Sequence, residues 1–189
     1  MAIALVTGAS TAIGLATAVP LAEGAGHTVY AAMRQPEVAA EELKATCATI
    51  VQLDVDDDAS VAAASDRRID VLVNNAGVGG FGAVEEVPLS HYRQVRETNF
   101  FGALRCIQAA LPQMRERRRG CIVNVTSVAG RVSGGGHSPY SASKWALEAA
   151  SEALACEIRA LGVRVAIVEP GVIATPILGK GKPPEKPSL

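Results

Sequence analysis

A tyrosine and a lysine four residues apart are the pair in this sequence best suited to proton transfer. Tyr140 and Lys144 fall near the start of a predicted helix, where residues i and i+4 share one face. An isolated phenol has a pKa near 10, and a neighbouring ammonium group favours the phenolate and lowers that pKa. Tyr140 could therefore act as a general acid/base, and the Ser127 hydroxyl could orient a substrate carbonyl. A surface tyrosine and lysine with a hydrogen-bonded serine would give the same pattern, and periodicity alone does not exclude it.

A glycine-bearing turn follows the first predicted strand and leads into a helix. It reads Thr7-Gly8-Ala9-Ser10-Thr11-Ala12-Ile13-Gly14. Free backbone N–H groups at a helix N-terminus form an anion site that suits a pyrophosphate. Such turns also occur for structural reasons, so the turn taken alone leaves both interpretations open.

An arginine stands where the second predicted strand ends, in Ala31-Ala32-Met33-Arg34. A site for NAD usually places an acid here to hold the ribose 2′-hydroxyl, whereas an arginine can hold a 2′-phosphate. Ser10 could add a hydroxyl donor. Arg34 could also be a solvated loop cation, but we predict NADP(H) rather than NAD(H) as the cofactor.

Short runs rich in Val and Ile alternate with longer helical stretches. They predict strands at 2–6, 27–32, 49–53, 69–73, 121–125 and 163–168. The run Ile69–Val73 is apolar except for Asp70, which is typical of a strand buried on both faces in a parallel sheet. The alternation of strands and helices predicts a doubly wound α/β Rossmann fold of about six strands with helices on both faces.

The longest predicted helix runs from Pro139 to Leu161. Ser138 is a favourable N-cap, proline suits the first helical position, and Gly162 is a C-terminal stop. Pro20 lies inside the first predicted helix, where it removes a hydrogen bond and is expected to kink the helix.

Two charged runs are expected to lie at helix ends. Residues 56–68 leave room for only a brief helix, which the acidic run Asp56–Asp58 could cap. The basic run Arg115–Arg119 could bind an anion, but favourable cations at a helix C-terminus are the better interpretation.

Composition favours one globular domain and disfavours several classes of partner. The 189 residues predict a single dinucleotide-binding domain over 1–178 and a mobile tail over 179–189. A net charge of −1 gives no reason to expect nucleic-acid binding. No apolar run is long enough to span a bilayer, and no signal-peptide pattern is present. The four cysteines lack a CxxC pair and are expected to be buried free thiols, so we predict a cytoplasmic location.

Taken together, these motifs resemble those of the short-chain dehydrogenase/reductase family, in the family's order and over essentially the whole chain. Thr7 to Gly14 resembles the cofactor turn, and Asp54 resembles the acid that contacts the adenine ring. Asn74-Asn75-Ala76-Gly77 matches the motif that supports the sheet beside the cofactor. Ser127 with Tyr140-Ser141-Ala142-Ser143-Lys144 matches the active site, and Asn99 matches its fourth member. Pro170-Gly171 with Thr175 resembles the segment that positions the nicotinamide.

The resemblance implies hydride transfer between NADP(H) and a ketone or secondary alcohol. Tyr140 would exchange the proton, Ser127 would hold the reacting oxygen, and Lys144 would lower the Tyr140 pKa and bind the nicotinamide ribose. Asn99 would hold a water that connects Lys144 to solvent. No metal is expected. The predicted cofactor-binding residues are Gly8, Ser10, Thr11, Ile13, Gly14, Arg34, Asp54, Val55, Asn75, Ala76, Gly77, Tyr140, Lys144, Pro170, Gly171, Val172 and Thr175.

The chain departs from the family pattern in two places. Ala12 stands where the family usually has its second glycine, and its methyl group could crowd a pyrophosphate. Family members usually continue beyond Pro170-Gly171 with a substrate-binding helix pair and a seventh strand, so we expect the sixth strand to form a sheet edge. A fragment, a partner chain that supplies the cover and a naturally reduced protein are all open.

These departures keep a second function open, a nucleotide-binding relative with weak or no catalysis and a regulatory or scaffold role. A Rossmann-like methyltransferase is disfavoured, because it would not need the serine, tyrosine and lysine. The apolar stretches Val78–Phe81 and Val128–His137 favour a small hydrophobic carbonyl or alcohol substrate. The Ala-rich helix from Pro139 resembles the family's dimer-forming helix and predicts a homodimer or homotetramer.

Overall fold

One parallel sheet organises the chain in the computed structural model, which describes residues 1–24, 26–173 and 177. Its six strands lie in the order β3-β2-β1-β4-β5-β6, and every neighbouring pair is parallel. This is the strand order of a doubly wound dinucleotide-binding sheet, so the predicted fold class is confirmed. The strands are Ile3–Thr7 (β1), Thr28–Met33 (β2), Thr49–Gln52 (β3), Val71–Asn74 (β4), Gly120–Val125 (β5) and Val163–Val168 (β6).

Helices connect the strands and cover both faces of the sheet. A π-helical segment, Glu97–Phe101, joins the fourth helix to the fifth, and 3₁₀ turns lie at Pro36–Val38, Val128–Gly130 and Arg159–Leu161. The α-helices are Ala12–Glu23 (α1), Glu41–Lys44 (α2), Asp58–Ser65 (α3), Leu89–Arg96 (α4), Gly102–Glu116 (α5) and Ser138–Ile158 (α6).

The sheet separates two hydrophobic cores. Leu5 and Leu72 belong to one core, and the next residues along the same strands, Val6 and Val73, belong to the other. Successive side chains of a strand point to opposite faces, so strands that are apolar throughout need cover on both sides.

The start of α6 differs from the prediction. The helix begins at Ser138, and His137 occupies the N-cap position without a side-chain cap hydrogen bond. The Ser138 hydroxyl instead lies 2.5 Å from the phenol oxygen of Tyr92 on α4, so a tertiary contact takes the group that the sequence predicts as a cap. The predicted stop is confirmed: Gly162 has a φ of 74° and follows the 3₁₀ turn that ends the helix.

The remaining local predictions give mixed results. The α1 helix continues across Pro20 to Glu23. The brief helix α3 is confirmed, and the Asp57 carboxylate caps it by accepting from the Ser60 backbone N–H at 2.6 Å. Arg118, beyond the end of α5, donates to the Ala160 carbonyl at 2.9 Å, in keeping with a structural role for the basic run.

All four cysteines are free thiols, as predicted, but the prediction that they are buried is wrong for three of them, since Cys121 is only partly buried. Cys106 is buried, whereas Cys47 and Cys156 are exposed. Cys47 lies in the connection between α2 and β3, and Cys156 lies on the outer side of α6, so an apolar neighbourhood in sequence did not mean burial.

Within the described part of the chain, β6 pairs only with β5 and forms one edge of the sheet, as expected. Val168 at its end is 43% exposed. None of the helices formed by the described residues has the length and apolar character needed to cross a membrane.

Candidate active site

A cleft of about 740 Å³ runs along the carboxyl edge of the sheet. Strands β1 and β4 are neighbours there although the chain leaves the sheet in opposite directions after them, and such a switch point is where ligands bind in open α/β sheets. The cleft wall includes residues that follow each of the six strands. The topology therefore brings together motifs as far apart in the chain as Gly8 and Pro170.

The turn after β1 leaves no room for a side chain at Gly8 or at Gly14. Gly8 has a φ of +66°, and a Cβ on it would lie 2.8 Å from the Ala76 Cα atom. A Cβ on Gly14 would lie 2.3 Å from the Gly8 carbonyl oxygen. Both glycines are therefore required by backbone-to-backbone contact, and Gly14 stands behind the turn rather than on the cleft wall.

Asn75 holds this turn against the end of β4. Its side-chain amide donates to the carbonyls of Thr7 at 2.9 Å and Gly8 at 3.2 Å. In return, the Thr7 hydroxyl accepts from the backbone N–H groups of Asn75 and Ala76, both at 3.0 Å. These hydrogen bonds hold the ends of β1 and β4 together at the place where the cleft opens.

Ser127, Tyr140 and Lys144 meet on the cleft wall next to β5. Ser127 precedes the turn Val128–Gly130, and its hydroxyl accepts from the Ala129 N–H at 3.1 Å. The Lys144 ammonium donates to the Val125 carbonyl at 2.9 Å and lies 5.7 Å from the centre of the Tyr140 ring. The structure therefore brings together three of the four predicted catalytic side chains.

The electrostatics of the pair differ from the prediction. Burial raises the pKa of Tyr140, and a hydrogen bond with Ser127 only partly opposes this. Burial also lowers the pKa of Lys144 to about 8, against a smaller opposing effect of Glu148. The expected lowering of the Tyr140 pKa by Lys144 is not what the structure gives, because removing the phenol from water outweighs the effect of nearby polar groups.

Asn99, the fourth predicted member, lies behind the cleft rather than on its wall. It is buried in the π-helical segment, accepts from the Val78 N–H at 2.8 Å and donates to the Val78 carbonyl at 2.9 Å. Its amide also donates to the Ser143 hydroxyl at 3.0 Å. The Asn99 side chain thus holds the loop after β4 against α6.

The opposite end of the cleft carries Arg34, Asp54 and Val55. Arg34 is exposed directly after β2, and the Asp54 carboxylate accepts from the Asp56 N–H at 3.1 Å. Burial raises the pKa of Asp56, whereas a hydrogen bond from Thr98 and the charge of Arg34 oppose that rise. Arg34, Asp54 and Val55, which the sequence predicts to bind the adenosine half of the cofactor, thus lie together at one end of the cleft.

The segment after β6 lies beside the turn that follows Ser127. The Pro170 carbonyl accepts from the Val128 N–H at 3.0 Å, and Gly171 and Val172 are exposed on the cleft wall. The predicted Thr175 lies outside the described residues. The cleft wall also carries the other predicted cofactor residues apart from Gly14, namely Ser10, Thr11, Ile13 and Gly77.

A profile described as short chain dehydrogenase matches residues 2–186. The chain belongs to this family.

Individual relatives agree with this membership. The chain is 41% identical over 188 residues to the uncharacterized oxidoreductase YusZ of Bacillus subtilis (strain 168), covering 93% of this chain and 66% of the relative. It is also 41% identical to retinol dehydrogenase 8 of Bos taurus, covering 93% of this chain and 60% of the relative. The chain therefore spans about three fifths to two thirds of the length of these curated relatives.

A solved structure has the same fold. A short chain dehydrogenase/reductase from Burkholderia phymatum in complex with NAD superposes with a TM-score of 0.88 at 27% identity. The match covers 95% of this chain and 68% of that one.

One buried hydrogen-bond network was not predicted from the sequence. The Asn74 amide donates to Asn124 at 2.8 Å, and the Asn124 amide donates to the Ser151 hydroxyl at 2.8 Å. Ser151 in turn donates to the Leu147 carbonyl at 2.6 Å. The chain of bonds runs from β4 through β5 to α6 and sets where the helix of Tyr140 lies. The available signal was Asn124, a polar residue inside the otherwise apolar run of β5.

Ala12 holds a backbone conformation that favours glycine, since its φ is 52°. A side chain in this left-handed region costs roughly 1–2 kcal/mol. We expect Ala12→Gly to raise the free energy of unfolding by about 1 kcal/mol and to tighten nucleotide binding. Urea unfolding and a nucleotide titration would measure both effects.

The matched control is Ala16→Gly, the same change at an exposed position with no positive φ in the same helix. It should destabilise the protein by about 0.8–1 kcal/mol. If both variants lost stability, the strain at Ala12 would be disproved.

Proposed function

We propose that this chain is an NADP(H)-dependent oxidoreductase that acts on a ketone or secondary alcohol, with Tyr140 as the general acid/base. The observation that supports this most is the meeting of Ser127, Tyr140 and Lys144 at one end of a cleft that has Arg34 and Asp54 at its other end. We further propose that residues 1–178 act as one dinucleotide-binding domain. A homo-oligomer through α6 is also proposed, supported by the 52% exposure of Trp145 on that helix.

The cleft has the features that a dinucleotide requires. Gly8 lies on the cleft wall without a side chain, and Gly14 behind it lets the turn pack closely against α1, so that the backbone can approach a pyrophosphate. The α1 helix begins there, and its N-cap residue Thr11 makes no side-chain cap hydrogen bond, so the first N–H groups are available to an anion. These residues would hold the pyrophosphate, and Lys144 would hold the nicotinamide ribose.

Within this arrangement each catalytic residue has a distinct task. A bound nicotinamide would supply or accept the hydride. Tyr140, a phenol whose pKa is raised by burial, donates its proton to the carbonyl oxygen during reduction. The Ser127 hydroxyl, 9% exposed at the cleft wall, donates a hydrogen bond to the same oxygen and orients it. Oxidation of an alcohol would use the same groups in reverse.

Hydrophobic side chains surround this end of the cleft. Val128 and Val132 are 42% and 63% exposed, and the Phe81 ring packs edge-on against His137. This lining favours a small hydrophobic carbonyl or alcohol compound as substrate. The relative named retinol dehydrogenase 8 supports the same class.

Arg34 provides the test of cofactor preference. We expect Arg34→Ala to weaken NADPH binding roughly 10- to 100-fold, the value of one or two charge-assisted hydrogen bonds, and to leave NADH binding unchanged. Calorimetric titration of both nucleotides would measure this.

Arg68→Ala is the control for net charge, because Arg68 is exposed and precedes β4 at the amino edge of the sheet. An equal loss of affinity for both nucleotides, or no loss at all, would remove Arg34 as the phosphate-binding residue.

Turnover of NADPH with a panel of hydrophobic ketones separates the enzyme from the alternative of a regulatory or scaffold relative. That alternative is favoured by the strain at Ala12, and it predicts binding without turnover.

A further inference from the structure

Arg131 joins three segments of the active site. It directly follows the 3₁₀ turn Val128–Gly130. Its guanidinium lies 3.0 Å from Glu169, which follows β6, and 3.3 Å from each of Glu148 and Glu152 on α6. The turn that follows Ser127, the helix of Tyr140 and the exit of β6 are therefore tied to a single side chain.

Glu148 differs from the other two carboxylates because it is buried. Its side chain is 5% exposed, against 59% for Glu152 and 36% for Glu169. Neither of its carboxylate oxygens accepts a hydrogen bond from the described residues, so the ion pair with Arg131 is its main stabilising contact. A buried charge with so few partners is costly and calls for a functional explanation.

The position of Glu148 points to Lys144. The two residues are four apart on α6 and share one face of the helix. Gly130 packs on the glutamate, since a Cβ there would lie 3.0 Å from the Glu148 Cγ atom. Glu148 thus packs against the turn that follows Ser127 and lies one helical turn from Lys144.

Few charges act on Lys144. On its own helix it is faced by the Tyr140 phenol one turn earlier and by the Glu148 carboxylate one turn later. From β5 it meets the neutral Val125 carbonyl, and Arg131 lies beyond Glu148. Among the described side chains, Glu148 supplies the charge that opposes the effect of burial on the Lys144 pKa.

We infer that Glu148, held by Arg131, is a positioning residue that keeps the Lys144 amine protonated and the turn after Ser127 docked on α6. The inference concerns the same site as the proposed function, and its relevance to catalysis rests on that function. The protonation state of Lys144 can nevertheless be measured without turnover.

The test is the titration of Lys144 by NMR in protein labelled at the lysine ε-carbon. The chain has five lysines, and Lys144→Met assigns the signal. Loss of a nearby negative charge destabilises the ammonium form, so we expect Glu148→Gln to lower the titration midpoint by about one pH unit. The basic limb of the pH–rate profile should move to lower pH by the same amount.

Glu152→Gln is the matched control, because Glu152 contacts the same arginine from an exposed position one turn further along α6. It should leave the midpoint unchanged, and Glu148→Asp, which keeps the charge, should stay near the wild-type value. If Glu148→Gln does not fold, Glu148→Met removes the same charge with a side chain of similar length. An unchanged midpoint in a folded neutral variant would overturn the inference, whereas a shifted midpoint in a protein without turnover would overturn only the proposed function.

Discussion

Tyr140→Phe is expected to lower kcat on the order of 10²- to 10⁴-fold, the usual contribution of a positioned general acid/base. The substitution removes only the phenol oxygen, which carries the proton in the proposed reaction. The ring remains to fill its half-buried place beside Lys144, so the affinity for NADPH should change little. Steady-state kinetics with the preferred ketone and calorimetric titration of NADPH would measure the two quantities separately.

Tyr92→Phe is a suitable comparison, because it too removes only a phenol oxygen. That oxygen bonds to α6, the helix that carries Tyr140. The Tyr92 oxygen lies 2.5 Å from the Ser138 hydroxyl, away from the cleft wall. This variant should lose about 1 kcal/mol of stability and keep its kcat. Wild-type turnover in Tyr140→Phe would show that the proton comes from another group.

Gly14→Ala is expected to weaken nucleotide binding at least about tenfold, which corresponds to about 1.4 kcal/mol, and to destabilise the fold by about 1–3 kcal/mol. The added methyl group would lie 2.3 Å from the Gly8 carbonyl oxygen, and backbone cannot move aside as a flexible side chain can. The turn would have to shift away from α1, which would displace the N–H groups proposed to hold the pyrophosphate. Urea unfolding and NADPH titration would show both losses.

The same substitution at Gly135 is the control, because a Cβ there meets nothing within 4 Å and no positive φ is required. Gly135→Ala should therefore leave both stability and nucleotide affinity close to wild type. If Gly14→Ala kept full affinity, the pyrophosphate would have to be assigned elsewhere in the cleft.

Much of the architecture follows from the types of neighbouring residues in the sequence. Runs such as Val71–Asn74 are short and almost wholly apolar, which is typical of a strand covered on both faces. The glycines of the turn after β1 and the left-handed Gly162 likewise mark backbone conformations that other residues rarely adopt. These features depend on a few neighbouring residues, and for that reason they could be predicted without a structure.

The sequence pattern was less informative for polar side chains that can form hydrogen bonds with more than one partner. Ser138 has the chemistry of a helix cap, but a tyrosine on another helix takes its hydroxyl. Asn99 matches a catalytic position, but its amide is used to hold the loop after β4. Neither outcome depends on residues close in the chain, since the partners are 46 and 21 positions away.

By itself, then, the sequence determined the class of fold, the strand boundaries to within two residues and the membership of the family. The tertiary structure alone decided the state of the catalytic groups. Whether Tyr140 has a raised or lowered pKa depends on how far packing removes it from water. The placing of Glu148 beside Arg131 depends on a turn and a helix that meet only in the folded chain. Both are effects of burial and of distances between elements, which the order of residues does not contain.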